Sequence, residues 1–365
     1  MGVTFFSNHI HSTTPIIMKK SVILFNLNKT AAAFLMAGVT LFFTSCDEDY
    51  LQEIFKGDPQ KDTADLRVFA STNTGGNFTI FDVSDPSDVD RITASTGSMD
   101  ADGIYYSSDK DIVYQLSRTQ SVVNAYTDIM DLKSDTTLTP AFSSTSDFTN
   151  GREIAVSGNK LVVAEDVDGM NQFVVYNIEH GALTLDRIYD VDIDLWGMQL
   201  VNNTLYAVQD QTNMLAVFYD FGSKPAGHLA ADQKVAIEGL VRTHGLSYDT
   251  KNDIMVLTDI ADAMNDSDGA FHVIDHFTRK LNDAGDGGTI ALKNQIRVSG
   301  DKTYLGNPVD IAFSVEEKKV YAAERANGGG RLLIFDYPSK SGNMKPAVNL
   351  DYAGASAVYL DEAAY

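Results

Sequence analysis

Cysteine is nearly missing: Cys46 is the only one in 365 residues. A chain with one thiol cannot form an internal disulfide, a cysteine-rich zinc site or a CxxC redox pair, so its core must hold without a covalent staple. Basic residues are scarce as well, 28 Lys and Arg against 50 Asp and Glu, for a formal net charge of −22. Such a surface repels phosphate backbones and anionic headgroups, which rules out nucleic acid as a partner and favours cations, cationic polymers or neutral glycans. Tryptophan occurs once, at Trp196, and proline eight times. The apolar run at residues 30–43 (TAAAFLMAGVTLFF) falls short of the roughly 20 residues that a membrane-spanning helix needs. There is no G-x-S-x-G elbow, no Walker loop and no H-E-x-x-H pair. His272 and His276 are four apart, but in a strand-like segment (FHVIDHF) that spacing does not build the helical zinc pair.

What the chain has instead is one unit written six times. A short apolar strand, a polar turn, a second strand ending in polar residues and a third strand recur from Asp102, Gly151, Trp196, His244 and Pro308. The sixth copy is divided between the chain end, GASAVYLDEAAY, and DLRVFASTNTGGNFTIFDV from Asp65. The first apolar anchors are Ile104, Ile154, Met198, Leu246, Ile311 and Ala357, spaced 50, 44, 48, 65 and 46 residues apart. A four-stranded blade takes about 40–50 residues, so the pattern predicts an all-β chain folded as a six-bladed β-propeller, with seven blades as the alternative. The long interval holds polar, glycine-punctuated insertions at residues 261–269 and 278–288, which read as loops. Sharing one blade between the two ends would pair the N- and C-terminal strands and close the ring. Outer strands are expected in VDRITAS, LTLDRIYDV, KVAIEGL, TIALKNQIRV and KPAVNLDY, and for the second blade around TTLTPAF. The aromatics Tyr106, Tyr176, Tyr206, Phe218, Phe313, Tyr321 and Phe335 are expected between blades.

The first 45 residues read as a targeting segment. Lys19 and Lys20 follow Met18 and precede the apolar run, a signal-peptide arrangement, and residues 1–17 read as an upstream extension of it. The run ends in Phe43-Thr44-Ser45-Cys46, which resembles the lipobox of bacterial lipoproteins, with Phe43 where leucine is usual. That resemblance implies lipidation of Cys46, a membrane anchor and an exported, outer-membrane location. Asp47-Glu48-Asp49 is similar to the signal that sends lipoproteins of the Bacteroidota to the cell surface. The competing readings are a plain secretory signal with a leftover cysteine and a buried apolar helix. Residues 46–64 read as an acidic tether and residues 65–365 as the propeller. Without residues 1–45 the balance is 25 basic against 50 acidic residues.

In a propeller, the loops leading into the inner strands and those joining strands two and three open on one face. Ahead of the inner strands this places Asp102, Arg152, Trp196, His244 and Asp310. After the second strands come Arg118, Glu165, Asp166, Asp210, Asp259, Glu324 and Arg325, with Asn73 from the shared blade. Their convergence would make a funnel of mixed charge, the default ligand site of the architecture. Taken one at a time, each is equally a strand-end cap for backbone groups. Two loops carry alternating acids before glycine, with Asp166 and Asp168 in one and Asp266 and Asp268 in the other. Either could wrap Ca²⁺ or another divalent cation, though neither fits the EF-hand loop.

The segment HGLSYDTKNDIMVLTD (His244 onward) resembles a blade of the NHL-type and gluconolactonase-like six-bladed propellers, and FTIFDVSDPSDVDRI (Phe78 onward) is similar to an LVIVD repeat. The gluconolactonase-like resemblance implies a divalent metal held in the funnel by Glu, Asn and Asp from different blades, parts for which Asp210, Asp259 and Glu165 or Glu324 are the candidates here. Two functions follow as expectations. One is a surface-anchored binding or scaffold module with a protein or glycan partner. The other is a metal-dependent hydrolase of lactones or esters.

Overall fold

Alternating apolar residues punctuated by hairpin turns leave each repeat one stable option, an antiparallel sheet buried on both faces by its neighbours. The computed structural model describes residues 66–362; the signal segment, Cys46, the tether and Asp65 lie outside the described residues. Six sheets fill that range. Blade 1 takes its innermost strand from the chain end: Ala355–Glu362 pairs with Leu66–Thr72, followed outward by Asn77–Asp82 and Asp90–Ser95. Blade 2 runs outward through Ala101–Ser107, Ile112–Ser117, Val122–Thr127 and Phe142–Ser143. Blade 3 has Gly151–Ser157, Lys160–Glu165, Gln172–Glu179 and Ala182–Asp190, and blade 4 has Leu195–Val201, Thr204–Gln209, Met214–Phe218 and Gln233–Ile237. Blade 5 has Leu246–Asp249, Ile254–Asp259, Ala270–Ile274 and Ile296–Ser299. Blade 6 has Pro308–Ser314, Lys319–Glu324, Arg331–Asp336 and Val348–Asp351. Inner strands touch in cyclic order and the last meets the first, so the fold is a six-bladed β-propeller.

The two ends pair in one shared blade as expected, with Val68 opposite Leu360 and Ala70 opposite Val358. All six repeat anchors fall in inner strands. The core divides into six clusters, one per blade–blade interface. The aromatics expected between blades are buried there, with Tyr106, Tyr176, Tyr206, Phe218 and Tyr321 each in a different cluster and Phe313 and Phe335 sharing the sixth. Phe173 meets Phe218 edge-on at 5.3 Å between blades 3 and 4, the geometry that ring quadrupoles favour.

Inner strands approach so closely that side chains are excluded at some positions. The Gly197 N–H donates to the His244 carbonyl of the next blade at 2.8 Å, and a Cβ on Gly197 would run into that carbonyl. A Cβ on Gly245 would stand 2.6 Å from the Asp310 Cα of blade 6.

Outer strands depart from the sequence reading in an informative way. TTLTPAF divides: Phe142–Ser143 closes blade 2, while Thr136–Thr137 runs parallel to the edge of blade 1. TIALKNQIRV divides likewise, Ile296–Ser299 closing blade 5 and Thr289–Ile290 lying along the edge of blade 4. Gly227–His228 covers the edge of blade 3, and Gly342 bridges Val298 at the edge of blade 5. Four blade edges are thus covered by the connection between strands three and four of the next blade, which hides otherwise unpaired backbone groups. The insertion at 278–288, expected as a loop, contributes to the helix Phe277–Ala284, whose Phe277 and Leu281 complete the core between blades 4 and 5.

Candidate functional site

The residues read from the repeats gather at one end of the channel, and most of them pair with one another. Asp102, 3% exposed, meets Arg118 Nη1 at 3.0 Å, while Nη2 of the same guanidinium holds Asp100 at 2.6 Å. Arg152 donates to Asp166 at 3.0 Å and lies over the Trp196 ring, its Cζ 4.1 Å from the ring centre. Trp196 stacks on His244 with centres 3.5 Å apart and planes 6° from parallel. His244 Nε2 lies 3.1 Å from Asp210 Oδ1, and Arg242 makes a two-pronged contact with the same carboxylate at 2.7 and 2.9 Å. A ladder of paired charges and stacked rings therefore joins blades 3, 4 and 5. Arg242, its anchor, was not legible in the repeats because it sits in a loop outside the strand pattern.

The other acids serve backbone. Glu165 accepts from the Thr149 N–H at 2.6 Å. Asp259 Oδ1 accepts the N–H groups of Val241, Arg242 and Ala261, and its Oδ2 meets Arg297 at 3.4 Å. Glu324 takes four N–H donors, from Gly306, Asn307, Ala326 and Asn327. Arg325 donates to Asn73 across the closing blade at 3.1 Å. The three carboxyls each tie a loop to a strand end through the donors that a buried acid needs.

The two acid-rich loops use their side chains within the protein to different extents. Asp166 is engaged by Arg152, and Asp168 is exposed. In the second loop, Asn265 and Asp262 accept N–H groups two residues on, Asp268 Oδ2 accepts from the Asp262 N–H, and Asp266 contributes its carbonyl to Asn327. Among the described residues, no group of three His, Cys, Asp or Glu is arranged to hold a metal ion.

Asp310 differs from the rest. It lies within its inner strand, one position before the anchor, and at the equivalent position of blade 3 stands Glu153. In the six-fold ring blades 3 and 6 are opposite, so two carboxyls face each other across the channel, narrowed by glycines at the same position of blades 2, 4 and 5. Asp310 accepts the N–H groups of Ile311 at 2.8 Å and Val358 at 2.7 Å. Glu153 Oε1 accepts from Ile154 at 2.7 Å, and its Oε2 has no donor among the described residues. Glu153 was missed because a lone acid ahead of an apolar strand carries no signal until the ring is closed.

Below this pair lies a cavity of about 420 Å³. Its wall is a ring of one apolar residue per blade, Ile104, Ile154, Met198, Leu246, Ile311 and Val358. Its mouth, on the face opposite the charge ladder, carries Tyr105, Tyr248, Phe313 and Tyr359, with Asp249 and Glu362. Tyr105 and Tyr359 pack with ring centres 4.7 Å apart. This cavity is therefore at the end of the channel that the repeats did not flag.

Protonation separates the two ends. Burial pushes Asp310 up to about 7 against its backbone donors, and Asp102 up to about 7 against Arg118 and Arg152. Burial, then the nearby Asp310 and Asp102, raise Glu153 well above the usual range. At the ladder, burial would raise Asp210, but hydrogen bonds from His244 and Arg242 outweigh it and hold the carboxylate well below its usual range. Burial lowers His244 to about 4 despite Asp210.

A stability test follows for Glu153. A raised carboxyl favours the folded state when protonated, and the penalty grows as pH rises above the unfolded-state value near 4.5. Glu153→Gln is therefore expected to unfold at a higher temperature than wild type at pH 8, with the difference vanishing near pH 4. Equal melting temperatures at pH 8 would contradict the assignment.

No protein-family model matches the chain, and no curated protein matches it. Solved structures do. One is a structure of a nidogen/laminin complex, similar with a TM-score of 0.56 at 12% identity over 81% of this chain and 98% of the other. Another is a candidate 6-phosphogluconolactonase from Bacteroides fragilis, with a TM-score of 0.55 at 12% identity over 84% of this chain and all of the other. A third is a protein of unknown function from Bacteroides caccae, with a TM-score of 0.53 at 9% identity over 81% and 98%. At these identities the likeness is one of fold: the chain is of the propeller class, an architecture that presents binding surfaces around an axis.

Proposed function

We propose that this chain is a lipid-anchored, surface-displayed binding propeller whose ligand occupies the open channel cavity. The observation that carries the reading is the contrast between the two ends. At one end charges are matched and rings stacked, while at the other a concavity of about 420 Å³, in the size range of small-molecule sites, combines an apolar wall with acidic side chains and no lysine or arginine in its lining. The tether and Cys46 supply the anchor in this reading, and the acid excess makes a nucleic acid an unsuitable partner.

Ser247 lines the cavity and is only partly buried, so Ser247→Trp is expected to plug the channel with little loss of packing. A panel of amines, alcohols, sugars and carboxylates, scored by thermal shift, should yield stabilising compounds for wild type that lose their effect on the plugged variant. Shifts that persist in Ser247→Trp would place the ligand elsewhere. For the anchor, Cys46→Ala is expected to move the protein from the membrane fraction to the soluble one, and retention in membranes would refute lipidation as the tether.

A metal-dependent lactone or ester hydrolase is the second reading, favoured by the fold-level likeness to the candidate 6-phosphogluconolactonase. It asks Asp210, Asp259 and Glu324 to release arginine or backbone donors before they could ligate an ion.

A further inference from the structure

We infer that the channel cavity takes a small organic cation, a primary ammonium or guanidinium group carried on an apolar body, with its charged head between Glu153 and Asp310. This rests on the channel reading and specifies its ligand class.

The lining is one-sided in charge. It contains no lysine or arginine, and the contacts of Glu153 and Asp310 are to backbone N–H groups, whereas at the opposite end Asp102, Asp166 and Asp210 each meet a guanidinium. The layers also have an order. Along the inner strands Glu153 and Asp310 come first, the six-residue apolar ring follows one position on, and Tyr105, Tyr248, Phe313 and Tyr359 lie one or two positions beyond it. A ligand matched to that order has a charged head leading, an aliphatic or aromatic body behind it, and solvent contact only at its tail.

Glu153 Oε2 supplies an acceptor that the described residues leave unused. Asp310 cannot turn away to find another partner, because both its oxygens are fixed by backbone N–H groups of two blades. A cation between them relieves the mutual repulsion of the buried Asp310 carboxyl and the half-buried Glu153 carboxyl, and no neutral ligand does that. A bare ion would satisfy the acids but leave the apolar ring facing empty space. The mouth tyrosines add ring faces that attract cations during passage. An anionic ligand is repelled at both the mouth and the floor.

The test uses the whole protein and three probes of nearly one shape: 2-phenylethylammonium, neutral 2-phenylethanol and anionic 3-phenylpropionate, titrated by calorimetry at pH 8 and fixed ionic strength. The ammonium is expected to bind saturably and at least tenfold more tightly than the alcohol, with no binding of the acid. Glu153→Gln should weaken the ammonium about tenfold and leave the alcohol unchanged, and Ser247→Trp should abolish both. Equal affinity for ammonium and alcohol would overturn the cation assignment, and if Ser247→Trp still abolished both, the channel reading would survive it. No saturable binding by any probe would overturn both. The ammonium-to-alcohol ratio is read on wild type, so the decision does not depend on how well a variant folds.

Discussion

A chain that stops at Gly354 is expected not to fold. It lacks the strand Ala355–Glu362, which pairs with every residue from Leu66 to Thr72. Ala355 and Val358 wall the core between blades 6 and 1, and Ala357 walls the core between blades 1 and 2, so one deletion opens two interfaces. Two polar ties go with it, Ser356 Oγ to the Ala101 carbonyl at 2.8 Å and the Val358 N–H to Asp310 at 2.7 Å. Asp310 is left with a single donor, and Leu66–Thr72 becomes an unpaired edge inside the channel. Lost burial and unsatisfied backbone groups together amount to roughly 5–10 kcal/mol, comparable with the whole stability of an ordinary domain. Circular dichroism should show no cooperative thermal transition, and gel filtration should show aggregate. A synthetic peptide spanning 355–362, present during refolding, should restore a monomeric ring. A truncated chain that melts at the wild-type temperature would show that closure lies elsewhere.

Closure was legible because its signal is redundant: six anchors at blade spacing and a divided repeat all require the same ring. Edge covering was not legible. Thr136–Thr137, Thr289–Ile290 and Gly227–His228 pair over two residues each, too few for a period, and their partners belong to the preceding blade. The helix Phe277–Ala284 hid for a related reason, since its two buried residues, Phe277 and Leu281, make too little of an apolar stripe to stand out among polar neighbours. At the candidate site the repeats identified the residues that converge but not how they spend their charges. Whether Glu324 is a ligand or a cap depends on where the N–H groups of Gly306 and Asn307 point, and strand periodicity does not encode that. Glu153 was invisible for a geometric reason. Its importance comes from standing opposite Asp310, a relation between blades 3 and 6 that exists only in the closed ring.

Asp210 is the second position where a single change should have a large effect. The Arg242 guanidinium and the His244 ring both converge on it, and His244 in turn supports the Trp196 ring beneath Arg152. His244 is 2% exposed, so removing the carboxylate strands a partly buried guanidinium and a buried imidazole without their acceptor. Breaking a buried pair from one side costs about 3–5 kcal/mol, and Asp210→Ala is expected to lose that much at pH 7 by urea unfolding. The pH dependence fixes the cause. A carboxylate held below its usual range stabilises the fold above the unfolded-state value near 3.8, and that contribution is lost as pH falls further. His244, lowered to about 4, costs stability over a higher range, as pH falls from about 6.5 to 4, because the unfolded chain takes up the proton first. The histidine's share remains in the variant, while the carboxylate's share disappears. The stability gap between wild type and Asp210→Ala should therefore stay wide down to about pH 4 and narrow below it. Trp196 is the only tryptophan, so its fluorescence reports on the ladder while circular dichroism follows the whole ring. A gap under about 1 kcal/mol at pH 7, or one that does not narrow in acid, would mean that Asp210 merely caps a turn and that Arg242 and His244 are held by the blades themselves.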